Sequence, residues 1–271
     1  MGEENFIKFL GTGGARFVVA RQLRRSAGVW YELNGVKILM DPGPGSLVTL
    51  AKSRPHLDPV TLNAILLTHR HIDHSNDINI LIEAMTDGGK KKHGRVFAPI
   101  DCLENDPVIL RYIRSFPEEI QILEEEKEYA VDSGLLFRTS IRHDHPVETY
   151  GIHFLLPEGQ ISHMIDTAYF DDLLDDYRDA KILILHVVRY EDRGDRARGI
   201  YHLNLDNARE IISAIRPRLA ILTHFGMTML QKKPWILAQQ LSDETGVEVK
   251  AASDGLTLNV EEYLKSEKIM N

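Results

Sequence analysis

The stretch Thr68-His69-Arg70-His71-Ile72-Asp73-His74 gathers three imidazoles and a carboxylate behind the apolar run Ala64–Leu67. Imidazole nitrogens and carboxylate oxygens both bind zinc, at roughly 2.0–2.2 Å. His69 and His71 stand two apart at the end of what reads as a strand. Asp73 and His74 come next, where the chain turns toward a helix. Four such groups can reach two adjacent ions but hardly crowd onto one. Two ions roughly 3.5–4 Å apart can share a hydroxide and clamp both the attacking and the leaving oxygen of a displacement.

Groups so close must be held by rigid elements. "NAILLTH" is a continuous apolar run of the kind found in strands covered on both faces. "GVWYELNGVKILMD" reads as a hairpin turning at Asn34-Gly35, with its second strand stopping at Asp41 before "PGPG". Helices are expected over Ser46–Lys52, around Asp77–Met85 and around Asp106–Ser115. Strands dominate from Ile120 to Leu156, and "HMIDTAYF" continues that pattern. "DDLLDDYRDA" reads as helix, "KILILHVV" as a buried strand, and "LDNAREIISAI" as an amphipathic helix. "LAILTHF" is a further strand, "KPWILAQQLSDETG" a helix with an early proline and a glycine past its end, and "VEVKAASDGLTLNV" two closing strands. The pattern implies two sheets covered by helices. With no repeat or linker, residues 1–271 are expected to form a single α/β domain.

The pattern T-H-x-H-x-D-H resembles the signature of the metallo-β-lactamase superfamily, and the likeness extends along nearly the whole chain. It implies a four-layer αββα sandwich and a hydrolase with two divalent metal ions, zinc above all, with manganese or iron fitting the same donors. In that superfamily further ligands follow later strands. Here His145 in "HDHPVETYG", Asp166 in "MIDTAYF" and His224 in "ILTHF" stand in that order. The resemblance assigns His69, His71 and His145 to one ion, Asp73, His74 and His224 to the other, and Asp166 to both. Asp73 would also orient the hydroxide. His143 competes with His145, but only His145 is followed after five residues by glycine, Gly151, as in the ribonuclease Z and phosphoribosyl cyclic phosphodiesterase branches.

"HLNLDNAREIISAIRPRLAILTHF" resembles the segment of those branches in which a histidine contacts the scissile phosphate, which makes His202 a second catalytic candidate beside Asp73. Asp41 resembles an aspartate that hydrogen-bonds a metal-binding histidine, and His186 reads as a buried strand-end residue near the ligands. A phosphodiester substrate is implied, a cyclic nucleotide or a ribose cyclic phosphate. Two departures weigh against tRNA processing. "LILHVVR" has Val187 where ribonuclease Z carries an acid, and no glycine- and proline-rich arm is evident. The cysteine-rich zinc loop of some cyclic phosphodiesterases is absent too. An RNA-end nuclease, a lactone or thioester hydrolase, a di-iron redox protein and a metal-stabilised binding module remain alternatives.

Composition narrows these. The chain has 271 residues and a net charge of −8, a poor basis for non-specific nucleic-acid binding. Cys102 is the single cysteine, so no intrachain disulfide can form, which fits a reducing compartment. The apolar run near the N-terminus is too short for a signal peptide, and no apolar stretch can span a bilayer, so a soluble cytoplasmic protein with no membrane partner is expected. Arg16, Arg21, Arg24 and Arg25 beside "GTGG" read as a solvated face, or as a border of the cleft where one arginine grips a phosphate. The substrate-binding residues are otherwise unassigned. "KKPWILAQQLSDETG" could serve a homo-oligomer contact or a core.

Overall fold

The structure is a computed structural model that describes residues 5–26, 28–132 and 134–265. Six strands come first: β1 (Phe6–Phe9), β2 (Val29–Leu33), β3 (Val36–Met40), β4 (Ala64–Leu66), β5 (Arg95–Ala98) and β6 (Glu119–Ile122). Eight follow: β7 (Glu128–Asp132), β8 (Leu135–Arg142), β9 (Tyr150–Leu156), β10 (Gly159–Met164), β11 (Ala180–Arg189), β12 (Leu203–Asn204), β13 (Leu219–Thr223) and β14 (Glu248–Ala251). β15 (Thr257–Asn259) returns to the first sheet, whose order is β15-β1-β2-β3-β4-β5-β6. The second sheet runs β14-β13-β11-β10-β9-β8-β7, with β12 paired to β11.

Side-chain alternation explains why the sheets stack. On β3, Val36, Ile38 and Met40 face the other sheet, while Leu39 faces the opposite way. On β11, Ile182 and Ile184 face inward, and Leu183 and Leu185 outward. Both faces of these strands are apolar, as strands covered on both sides require. Helices α1 (Ala15–Ala20), α2 (Ser46–Lys52), α3 (Ile72–Ser75) and α4 (Ile78–Met85) belong to the first half of the chain. Leu50 of α2 and Ile78, Leu81, Ile82 and Met85 of α4 cover the outer face of the first sheet. The second half adds α5 (Asp172–Asp176), α6 (Leu205–Ile215), α7 (Met227–Gln231), α8 (Pro234–Thr245) and α9 (Glu261–Lys265). From α5 to α8, Leu173, Ile211, Met229 and Leu241 cover the second sheet. The result is the expected αββα stack. Each fully buried leucine or isoleucine contributes about 1.5–3 kcal/mol of transfer free energy. No helix among the described residues is long and apolar enough to cross a membrane.

Local expectations hold for the hairpin, where Asn34 and Gly35 both have positive φ, and for α6, which Asn204 and Asn207 cap reciprocally. Three differ. The helix expected over Asp106–Ser115 is only a 3-10 turn, Arg111–Ser115. The Asn79 side chain binds the Val108 carbonyl and the Leu110 amide, and Arg114 takes the Leu103 and Ile109 carbonyls. Those backbone groups are thereby held by side chains instead of a helical ladder. The strand pattern of "HMIDTAYF" stops at Met164, so Asp166 lies on a loop. The segment after "GTGG", for which no helix was expected, forms a short helix, Ala15–Ala20, around buried Val18.

Candidate metal centre

Strand direction brings the candidates to one edge. β3, β4 and β5 are parallel, so Asp41, just past β3, and His69, three residues past β4, emerge together. β10, β11 and β13 are parallel as well, which places Asp166, His186 and His224 at one end of the second sheet. β8 is antiparallel to β9, and β9 to β10, so the loop after β8 carries His145 to the same edge. His71 is the N-cap residue of α3, and Asp73 and His74 lie within that helix.

On one side of the edge, four ligand-type atoms face one another. His74 Nε2 is 3.3 Å from His224 Nε2. Asp166 Oδ2 lies 3.6 Å from the first and 3.5 Å from the second. Asp73 Oδ2 lies 3.9 and 3.7 Å from the same two nitrogens. Ligands about 2.0–2.1 Å from a tetrahedral zinc stand roughly 3.4 Å apart, so the spacing suits an ion at the centre. On the other side, His145 Nε2 is 3.0 Å from His71 Nδ1, and His69 completes a three-imidazole group. His69 Nε2 is buried without a hydrogen-bond partner among the described residues.

Further residues hold this arrangement. Asp41 accepts from the Thr68 amide and hydroxyl at 2.8 and 2.7 Å. Its Oδ2 also lies 3.0 Å from His74 Nδ1, which fixes the proton there and leaves Nε2 as the donor atom. His186 Nδ1 binds Asp166 Oδ1 at 2.9 Å, and its ring stacks on His224 at 4.3 Å. Asp41 and His224 have φ values of 50° and 58°, a conformation that costs non-glycine residues about 1–3 kcal/mol each. Gly14 packs so tightly on His224 that a Cβ there would come within 2.3 Å of its ring. His202 Nδ1 is 3.7 Å from Asp166 Oδ2, and its ring lies 5.3 Å from that of His145. His143 turns away and bonds the Tyr177 hydroxyl at 3.0 Å.

Residues 36–225 match the family model described as "Beta-lactamase superfamily domain". The chain belongs to this superfamily. It is 32% identical to the uncharacterized protein MJ1374 of Methanocaldococcus jannaschii over 94% of each chain. Ribonuclease Z of Thermoplasma acidophilum is 31% identical over 52% of this chain and 45% of its own length. Among solved structures, the metallo-beta-lactamase fold protein YhfI of Bacillus subtilis superposes with a TM-score of 0.74 at 18% identity, covering 94% of this chain and 99% of that one. A diphosphatase from the PhnP family gives a TM-score of 0.68 at 18% identity, with 95% and 98% covered.

As a member, the chain is a metal-dependent hydrolase of the metallo-β-lactamase fold, a fold that implies divalent metal binding. Its electrostatics fit that role. Burial opposes a charge on His74, yet Asp73, Asp166 and Asp41 together hold its pKa well above the ordinary value. Burial opposes the charge on Asp166 too, but His224, His202 and His186 pull its pKa well below the carboxylate range. These carboxylates therefore demand a cation, which a metal would supply in place of the proton. The three-imidazole side behaves oppositely. Burial, reinforced by the neighbouring His74, pushes His69 well below its usual pKa, and burial lowers His71 and His145. They stay neutral, the form that donates to a metal.

Two buried histidines carry contacts that the sequence did not announce. His163 Nδ1 lies 2.7 Å from the Tyr31 hydroxyl, and its ring meets His186 edge to face. His153 bonds Ser162 and Asp176. The only signal was their placement on apolar strands, which reads equally as core.

Proposed function

We propose that the chain is a dinuclear phosphodiesterase of small phosphodiesters. His69, His71 and His145 would hold one ion, Asp73, His74 and His224 the other, and Asp166, whose Oδ1 is taken by His186, would serve both. The ions, zinc by donor type, would supply an activated water and stabilise charge on the phosphoryl oxygens. Asp73 positions that water. His202 addresses the leaving oxygen.

The supporting observation is the placement of His202. It stands at the junction of the two ligand groups, and its Nδ1 has no hydrogen-bond partner among the described residues. Burial lowers its pKa to about 4, so it rests as a neutral imidazole able to donate an N–H to a phosphoryl oxygen. A bound phosphodiester monoanion favours its protonated form and makes it a proton source for the departing alcohol.

The test is hydrolysis of bis(p-nitrophenyl) phosphate by zinc-loaded protein, with metal content and a His202→Ala variant measured in parallel. Turnover with two ions per chain, cut sharply in the variant while both ions remain, supports the reading. Two ions without turnover on this ester would end it and favour lactone or thioester substrates. Ribonuclease Z relatives keep an RNA substrate in view. The net charge of −8 and the buried Val187 at the acid position weigh against it.

A further inference from the structure

Two large apolar side chains stand in solvent at the metal centre. Phe17 is 68% exposed and Ile72 is 72% exposed. Ile72 lies between His71 and Asp73, so it marks the rim of the ligand cluster. Phe17 lies three residues past Gly14, whose backbone rests on the His224 ring and whose amide bonds the Phe225 carbonyl at 3.1 Å. The Phe225 amide returns to the Thr12 carbonyl at 2.8 Å, and Asp254 accepts from Thr12 and from the Arg25 amide. The segment that leads into α1 is thus tied to the end of β13. α1 itself lies alongside α3, so Phe17 and Ile72 sit on adjacent short helices. Val18, fully buried, anchors α1 and leaves its neighbour Phe17 free to project. A contiguous exposed apolar patch rimmed by polar groups is the form that binding surfaces take.

Exposed guanidinium groups stand beside them. Arg178, Arg193, Arg196 and Arg209 each pair with a carboxylate. Arg16 and Arg21, which flank Phe17 on the same segment, are exposed and have no carboxylate partner among the described residues. An exposed aromatic ring with unpaired guanidinium groups, next to a site for a phosphodiester, suits a ligand with a flat π-face and a nearby anion.

We infer that Phe17 and Ile72 form a nucleobase subsite, so that the substrate is a nucleoside phosphodiester and not a base-free sugar phosphate. The inference rests on the phosphodiesterase reading for the position of the phosphate. The base stacks on Phe17 against the edge of Ile72, and Arg16 or Arg21 faces the anionic backbone. An aliphatic acyl chain would use the apolar pair but not the arginines.

The test is equilibrium binding of two product-type ligands, adenosine monophosphate and ribose 5-phosphate, to the zinc-loaded full chain. Stacking on one aromatic ring favours the base-bearing ligand by about tenfold. We expect that ratio to collapse toward one in Phe17→Ala and to persist in Phe17→Trp. Equal affinities in the native protein, or a preference that survives Phe17→Ala, would overturn the subsite. So would tighter binding of a medium-chain fatty acid than of adenosine monophosphate. A preference that depends on Phe17 without hydrolysis of any phosphodiester would remove the phosphodiesterase reading and keep the subsite. Hydrolysis of phosphodiesters with no base preference would do the reverse.

Discussion

The two halves of the metal centre are built from unlike materials. His69, His71 and His145 form a group of neutral imidazoles, with His71 and His145 only half-buried. His74 and His224 face the carboxylates of Asp73 and Asp166, and all but Asp73 are buried. Asp41, His186 and Gly14 brace this second group from behind. The first group leans on weaker supports: the Thr68 hydroxyl beside His69 and the Tyr201 carbonyl beside His145. A buried carboxylate group holds a cation through charge as well as donor bonds, whereas a neutral group relies on donor bonds alone. We therefore expect the carboxylate half to bind its ion more tightly, and the imidazole half to exchange its ion more readily.

The largest effect belongs to Asp166, the residue proposed to serve both halves. Asp166→Ala should lower retention of both ions after dialysis, by more than the roughly ten- to hundredfold cost of losing an outer partner. Loss of one ion alone would show that Asp166 serves a single half. His202→Ala comes next. It should lower kcat by about 10²–10⁴-fold with both ions retained, because a proton donor is removed and no ligand is. Equal loss of metal and rate would make His202 a structural support of the centre.

Asp41→Asn sharpens the contrast between halves. Without the carboxylate, His74 loses its fixed tautomer, and affinity on the carboxylate half should fall by about ten- to hundredfold. The imidazole half should keep its ion, and metal content after dialysis reads both. The smallest effect concerns the imidazole half. Tyr177→Phe leaves His143 Nε2 buried without its partner, which should lower stability by about 1–3 kcal/mol in urea unfolding. His143 carries the loop to His145, whose amide bonds the His143 carbonyl at 2.9 Å. The variant should therefore loosen the imidazole-side ion and leave the other unchanged.

Much of this was legible because it is local. The crowding from His69 to His74 is a matter of sequence spacing, and the strands that carry the ligands show themselves as apolar runs. Gly151 was visible only as a family mark. Its physical reason is that a Cβ there would fall 1.7 Å from the Tyr177 hydroxyl, which holds His143. The supports were not legible, since they join residues far apart in the chain. His186 on β11 meets Asp166 in the loop that follows the neighbouring parallel strand β10. Tyr31 meets His163 across the two sheets. The irregular backbone at 106–110 depends on Asn79, about thirty positions earlier. Periodicity carries no trace of such long-range capture.

The inequality of the two halves can be measured directly by calorimetric titration of zinc into the metal-free chain. We predict two ions per chain in resolved steps, the tighter one lost in Asp41→Asn and the weaker one kept. A single ion per chain, or two steps that Asp41→Asn weakens equally, would contradict it.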